Sequence, residues 1–107
     1  MNLREAHLIS SIQTLFSNDE RLIYFFFNHK DPELRASVDE LLQEAQSLCR
    51  GEYLLIQAAL DFWNGEGGLK LGDVLSGLDD ENVLAFVRAI LHWREIDIER
   101  LWNESLC

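Results

Sequence analysis

The amino-acid sequence predicts an all-α fold: a single compact bundle of about five helices plus one short helix, without a sheet, over residues 1–107. Apolar residues recur every three or four positions along most of the chain, which is the spacing of one face of a helix. Aspartate or asparagine followed by acidic residues precedes several of these segments, as is typical of helix starts. A length of 107 residues suits one domain with its own hydrophobic core.

The first two helices are predicted within residues 2–27. An amphipathic helix from Asn2 to Ser17 follows from apolar residues at helical spacing. These residues are Leu3, Leu8, Ile12, Leu15 and Phe16. A second helix, capped by Asn18 or Asp19, is expected to contain the apolar run 22–27. Such a run also fits a buried strand, but the polar residues at its start and the lack of a partner strand favour a helix.

A third helix is predicted to begin at residues 31–33. Asp31 supplies a capping carboxylate, Pro32 suits the first helical position and Glu33 places an acid in the first turn. A stripe at helical spacing then continues for about five turns. It consists of Leu34, Val38, Leu41, Leu42, Ala45, Leu48 and Cys49. This position predicts a buried Cys49 thiol, and Gly51 is expected to stop or kink the helix.

Residues 52–63 (EYLLIQAALDFW) are apolar on nearly every side, which predicts a central helix that touches several neighbours. The glycine-rich stretch 64–68 is expected to end it, and residues 69–71 to be briefly extended. A short turn of helix around residues 72–78 is predicted from four residues that share a face. These are Leu71, Val74, Leu75 and Leu78.

Two further helices are predicted in the C-terminal part of the chain. The first begins at residues 79–82, with a cap and acids in its first turn, and ends near Arg94. Its packing stripe is predicted to be Val83, Phe86, Val87, Ile90 and Leu91. Asp97 is expected to cap a last short helix, with Ile96 and Leu101 spaced as a hydrophobic staple. Ile98, Leu101 and Trp102 are expected to pack that helix back onto the domain.

The charge of the chain is its unusual property. There are 19 acids against 9 bases, a formal net charge of −10, and residues 51–87 contain seven acids against Lys70 alone. Phosphate backbones and anionic membranes are bound through Lys and Arg, so direct nucleic-acid or membrane binding is not expected. The acidity serves solubility through self-repulsion, or it forms a face that meets a basic partner. A charged N-terminus without a continuous apolar stretch, and no apolar run of about 20 residues, predict a cytoplasmic protein.

The segment 65–72 (GEGGLKLG) does not fit a phosphate-binding loop, because Leu71 follows Lys70 where serine or threonine is required. No register in this region matches a calcium loop. The stretch 78–83 is similar to the start of the second helix of acyl carrier proteins, but Asp80 stands where that family needs its serine. We expect this segment to be a connector between helices.

The remaining reactive residues fit no known constellation. His92 and Glu95 form a single pair in the order opposite to that of di-metal bundles, and Cys49 and Cys107 match no metal spacing and no disulfide framework. The sequence therefore predicts no catalytic residue, no cofactor and no metal ligand.

The functional hypothesis is a protein-interaction module, such as an adaptor, inhibitor or immunity-type protein, without catalytic activity of its own. Its expected partner is a protein, and one version of the hypothesis gives that partner a basic surface. A homo-oligomer of this chain is also possible under the hypothesis. The candidate partner-binding residues are Asp73, Asp79, Asp80, Glu81 and Trp93. The tryptophan is included because this residue type is enriched at binding hot spots. Two alternatives remain: a nucleic-acid mimic that blocks a DNA- or RNA-binding protein, and a helical enzyme or metal-binding domain.

Overall fold

The computed structural model describes residues 3–28 and 33–106, and its helices confirm the all-α class. Within these ranges seven helices and no strand are formed. The helices are α1 (Leu3–Leu15), α2 (Arg21–Phe26), α3 (Val38–Ala45), α4 (Arg50–Asn64), α5 (Leu71–Gly77), α6 (Asp80–Arg94) and α7 (Ile98–Leu106). None of these helices is long and apolar enough to cross a membrane.

Helix α4 is the centre of the bundle, as its apolar sequence predicts. Helices α1, α2, α3 and α5 all pack against it. Its buried residues are Leu54, Leu55, Ile56, Ala58, Ala59 and Leu60. Because these side chains point to several sides, α4 touches its neighbours around most of its circumference. Helix α6 packs mainly along α1, which also contacts α4.

The apolar run 22–27 forms the short helix α2 and then turns into an isolated antiparallel bridge between Phe27 and Leu34. Phe26 and Phe27 are buried against each other, with ring centroids 4.9 Å apart. Both also meet Trp63 of α4 edge to face. The predicted helix is confirmed for residues 21–26. The last residue of the apolar run, Phe27, instead forms a β-bridge with Leu34.

The predicted start of the third helix at residues 31–33 is wrong. Helix α3 begins at Val38, where the Ser37 hydroxyl accepts the Glu40 backbone N–H at 3.2 Å. Residues 33–36 are not helical, because the bridge at Leu34 draws this segment alongside residues 26–28. Arg35 holds the segment there by donating to the Phe25 carbonyl at 2.7 Å. The proposed cap Asp31 and its neighbour Pro32 lie outside the described residues.

The predicted end of that helix is also wrong. Helix α3 stops at Ala45, and Cys49 is exposed at the start of α4 rather than buried. The Glu52 carboxylate accepts the Cys49 backbone N–H at 3.2 Å, which sets the start of α4. Gly51 lies inside α4 and neither stops nor kinks the preceding helix.

The turn between α1 and α2 is closed by an exposed ion pair. The Arg21 guanidinium donates to both carboxylate oxygens of Asp19, at 3.0 and 2.9 Å. These hydrogen bonds lower the pKa of Asp19 below its usual value. Because that pKa is depressed, the associated stability is present at neutral pH and is lost as the pH falls through the folded-state pKa. Arg21 is well exposed, so the effect is small.

The short helix predicted around residues 72–78 is confirmed as α5, but its four apolar residues do not share one buried face. In α5, Val74 and Leu78 are buried, but Leu71 and Leu75 are 68% and 72% exposed. This helix packs mainly on α4, and Leu71 and Leu75 lie on its solvent side.

Helix α7 begins as predicted, with the Asp97 carboxylate accepting the Arg100 backbone N–H at 3.1 Å. The prediction that it packs back onto the domain is wrong for Ile98 and Leu101, which are both exposed, as is Ile96 before the cap. The side chain of Trp102 lies outside the described part of the chain. Helix α7 follows the left-handed residue Glu95, which ends α6 and turns the chain away from the α6 axis.

The glycine-rich segment is a connector that folds back onto α4. Gly65 ends α4 in the left-handed conformation, with φ of 78°. The Asp61 carboxylate then accepts the backbone N–H groups of Gly67, Gly68 and Leu69 at 2.8, 3.3 and 2.9 Å. Gly67 is pressed so closely on α4 that a Cβ would lie 1.9 Å from the Gln57 carbonyl oxygen. These contacts explain the glycines without any phosphate ligand.

Replacing Gly67 with alanine is expected to destabilise the fold by about 1–3 kcal/mol or more, because the added methyl collides with helix backbone. Gly72 is a matched control, since it is helical with nothing within 4 Å of its Cβ position. The Gly72→Ala variant should be unchanged or stabilised by up to about 1 kcal/mol. Urea unfolding followed by circular dichroism measures both, and equal stabilities would contradict the close contact of Gly67.

Candidate functional site: the outward face of helix α6

Helix α6 is a 15-residue helix whose ends are set by its own sequence. The Asp79 carboxylate accepts the Asn82 backbone N–H at 2.9 Å, which confirms Asp79 as the cap. Asp80 and Glu81 follow in the first turn, and Arg94 lies in the last turn. Acids at the N-terminus and bases at the C-terminus both suit the helix dipole. The helix therefore has an acidic end and a basic end.

The inner face of α6 is made of small residues. Ala85 and Ala89 are fully buried where the helix packs along α1. They are four residues apart and so lie one above the other on the same side. Small side chains let two helices approach closely, which explains why this side of α6 faces the core although it contains few large apolar residues.

Polar contacts hold both ends of α6 against the α1 region. At the acidic end, the Asn18 amide donates to the Glu81 carbonyl at 2.9 Å. At the basic end, His7 Nε2 is hydrogen-bonded to the Trp93 carbonyl at 3.0 Å. The His7 ring also stacks on the rings of Trp93 and His92, with centroids 5.4 and 4.9 Å away. Because contacts exist at both ends, the rotation of α6 about its axis is fixed.

The large apolar residues of α6 consequently point outward. Leu84 is 48% exposed and Val87 is 42% exposed, and Ile90 is also exposed. Val83 and Leu91 beside them are half-buried. The prediction that Val87 and Ile90 pack into the core is therefore wrong, because the alanines occupy the inner side instead. Val83 packs against the core. We call the surface formed by Leu84, Val87, Ile90 and Leu91 the outward α6 face.

An open pocket of about 310 Å³ lies beside this helix. It is lined by Ala58, Asp61, Phe62, Leu69, Phe86 and Trp93. Its walls are mainly apolar, and both oxygens of the Asp61 carboxylate are already used by the backbone of the connector. The pocket thus offers aromatic surface but no converging set of reactive groups.

The structure places four of the five predicted site residues on or at the ends of α6. Asp79, Asp80 and Glu81 are exposed at its start, and Trp93 is half-buried near its end, against His7 and the pocket. Asp73 is separate: it belongs to α5 and pairs with Arg50 of α4 at 3.4 Å.

Leu84 is absent from the stripe predicted from the sequence, and Val87 lies on the opposite side from the one predicted. The alternation of small and large residues was the available signal, because Ala85 and Ala89 at i,i+4 mark a close helix contact and thereby place Leu84 and Val87 on the other side.

No group of three or more histidine, cysteine, aspartate or glutamate side chains in the described residues is arranged to hold a metal ion. Comparison with known proteins gives no match to a family model, to a curated protein or to a solved structure.

The orientation of α6 can be tested with leucine at two adjacent positions. Ala89→Leu adds volume at the fully buried contact with α1 and should lower the free energy of unfolding by about 1–3 kcal/mol. Arg88→Leu adds the same residue at an exposed position of the same helix and should change it by less than about 0.5 kcal/mol. If chemical denaturation instead showed that Arg88→Leu costs as much as Ala89→Leu, the assignment of inner and outer sides would be wrong.

Proposed function

We propose that this chain is a protein-interaction module that acts by binding another protein chain through the outward α6 face, without catalytic activity of its own. The observation that supports this is the exposure of Leu84, Val87 and Ile90 along one helix. Single exposed apolar residues are ordinary on protein surfaces, whereas a contiguous apolar surface with a polar rim marks an interaction site. A helix presented in this way can pack side by side with a helix of a partner protein.

The acidic residues take a secondary place in this proposal. Asp80 and Glu81 remain exposed at one end of the outward α6 face, where they can steer and orient a partner with basic groups. A purely electrostatic binding surface has less support, because Asp73 pairs with Arg50 and Glu52 pairs with Arg21 within the domain.

The two alternative functions are supported less well. A nucleic-acid mimic needs free carboxylates spaced like phosphates, and Asp61 is instead turned into the connector, where it accepts three backbone N–H groups. An enzyme needs a reactive group in a pocket, and the aromatic pocket beside α6 presents this same engaged carboxylate. Binding by the outward α6 face requires neither feature.

Site-specific photo-crosslinking in the source organism tests the proposal. A benzophenone amino acid in place of Val87 should form a defined covalent adduct with a partner chain, since it stands in the middle of the outward α6 face. The same amino acid in place of Leu75 is the control, because Leu75 is exposed to a greater degree but lies on α5.

Adding Leu84→Glu should abolish the adduct at position 87, because a charge would be buried in the apolar contact. Circular dichroism checks that this variant keeps its helices. Absence of an adduct at position 87, or the same adducts at positions 87 and 75, would contradict the proposal.

A further inference from the structure

The residues along the middle of the outward α6 face follow a seven-residue pattern. Asp80, Leu84, Val87, Leu91 and Arg94 are separated by four, three, four and three positions. This spacing keeps the five side chains on one narrow line of the helix, which we call the seam. In a coiled coil, two helices pack against each other along such a line. The helix extends from Asp80 to Arg94, so the whole seam lies on regular helix. The outward α6 face therefore has the residue spacing of a helix–helix contact.

The seam is also symmetric in length and opposite in charge at its two ends. Val87 is its centre, and Asp80 and Arg94 lie seven positions to either side, at about 10.5 Å along the axis. If a second α6 lies antiparallel against the first with Val87 on Val87, Asp80 of each copy meets Arg94 of the other. In the same arrangement Leu84 of each copy meets Leu91 of the other.

The flank of the seam does not repeat this arrangement. At 100° per residue, Glu81 and Arg88 lie on the same flank of α6, and both side chains are exposed. Arg88 is one position from Val87, so the two-fold axis places the Arg88 positions of the two copies about 3 Å apart along the helix axis, and Glu81 of the other copy about 7.5 Å from Arg88. The charges that complement each other in the antiparallel pair are therefore Asp80 and Arg94, at the two ends of the seam.

We infer that the partner of the outward α6 face is a second copy of this chain, bound as an antiparallel α6–α6 pair about a two-fold axis. The inference rests on the proposed function, whose binding surface it uses. Two-fold dimers place the same patch of both subunits in contact, so the patch must be complementary to itself. The sequence of acid, apolar residues and base along α6 meets that condition.

The overall charge restricts where two copies can meet. The chain carries a net charge of −10, so two copies repel each other over most of their surfaces. Residues 80–94, which form α6, contain two acids and two bases and carry no net charge. The outward α6 face thus lies on a helix where self-repulsion is weaker than over the rest of the chain. The two antiparallel helix dipoles also favour this direction.

Sedimentation equilibrium with charge-reversed variants tests the inference. Because the contact uses one helix about 22 Å long, wild-type protein should dissociate reversibly in the micromolar to millimolar range. One variant reverses the acidic end (Asp80→Lys), and the other reverses the basic end (Arg94→Glu). In a dimer of either variant alone, like charges meet at both ends of the seam. The dimer affinity of each variant should therefore fall by about tenfold or more.

An equimolar mixture of the two variants should dimerise at least as tightly as wild type, because every pair in the mixed dimer is again of opposite charge. This restored association also shows that both variants are folded. The control variant Asp39→Lys reverses the same residue type in the first turn of α3, where Asp39 is exposed. It should leave the wild-type dimer intact.

Two outcomes would overturn the inference. One is a wild-type chain that stays monomeric to millimolar concentration, and the other is a mixture of variants that associates no better than each variant alone. If the protein is monomeric but position 87 still crosslinks to a different protein in a manner lost with Leu84→Glu, the dimer is wrong and the interaction module stands. If neither a dimer nor a crosslink is found, both proposals fail.

Discussion

The contact between α1 and α6 is the constraint on which the exposure of the outward α6 face depends. Ala85 and Ala89 are almost completely buried there, and they lie on the side of α6 that faces α1. A helix with small residues on its inner side must place its large apolar residues elsewhere. Asn18 and His7 add hydrogen bonds at the two ends, to the carbonyls of Glu81 and Trp93. The exposure of the outward α6 face is thus a consequence of how α6 is packed, and the same packing that stabilises the fold prepares the surface.

The sequence predicted much of the fold because several elements carry strong local signals. Helix α4 is apolar on nearly all sides and ends at a left-handed glycine, and both features are visible in the residues. Asp79 and Asp97 have the side chain and the following residues of helix caps, and both act as caps. In these places local preference and tertiary packing favour the same structure, so local reasoning is sufficient.

The failures occur where a contact distant in sequence overrides a local signal. The Asp31-Pro32-Glu33 motif predicts a helix start, but the bridge between Phe27 and Leu34 keeps the following residues extended and Ser37 becomes the cap. Cys49 continues an apolar stripe, but the start of α4 takes it out of that stripe. The outward α6 face was misassigned because a periodic apolar stripe is normally the buried one. Which of two apolar sides faces the core depends on α1, which lies more than sixty residues away in the sequence.

The acidity of the chain divides into two parts with different consequences. Some carboxylates serve the fold: Asp61 organises the connector, and Asp19 is stabilised in its charged form by Arg21. Others, such as Asp80 and Glu81, remain exposed beside an apolar surface. A carboxylate in that position contributes to orientation and specificity more than to affinity, because exposed ion pairs are individually weak. In the proposed association, the main driving force is the burial of the apolar side chains of this surface.

The most direct test of the central claim is an isotope-filtered nuclear Overhauser measurement on a mixture of methyl-labelled and unlabelled protein. Leu84 and Leu91 lie about 10.5 Å apart along one helix, so their methyl groups are too distant to give a strong signal within one copy. The antiparallel pair predicts intermolecular cross-peaks between Leu84 and Leu91 and between the two Val87 side chains, and none from the exposed Leu71 or Leu75 of α5. Absence of cross-peaks from the outward α6 face at millimolar concentration, or cross-peaks confined to α5, would contradict the account.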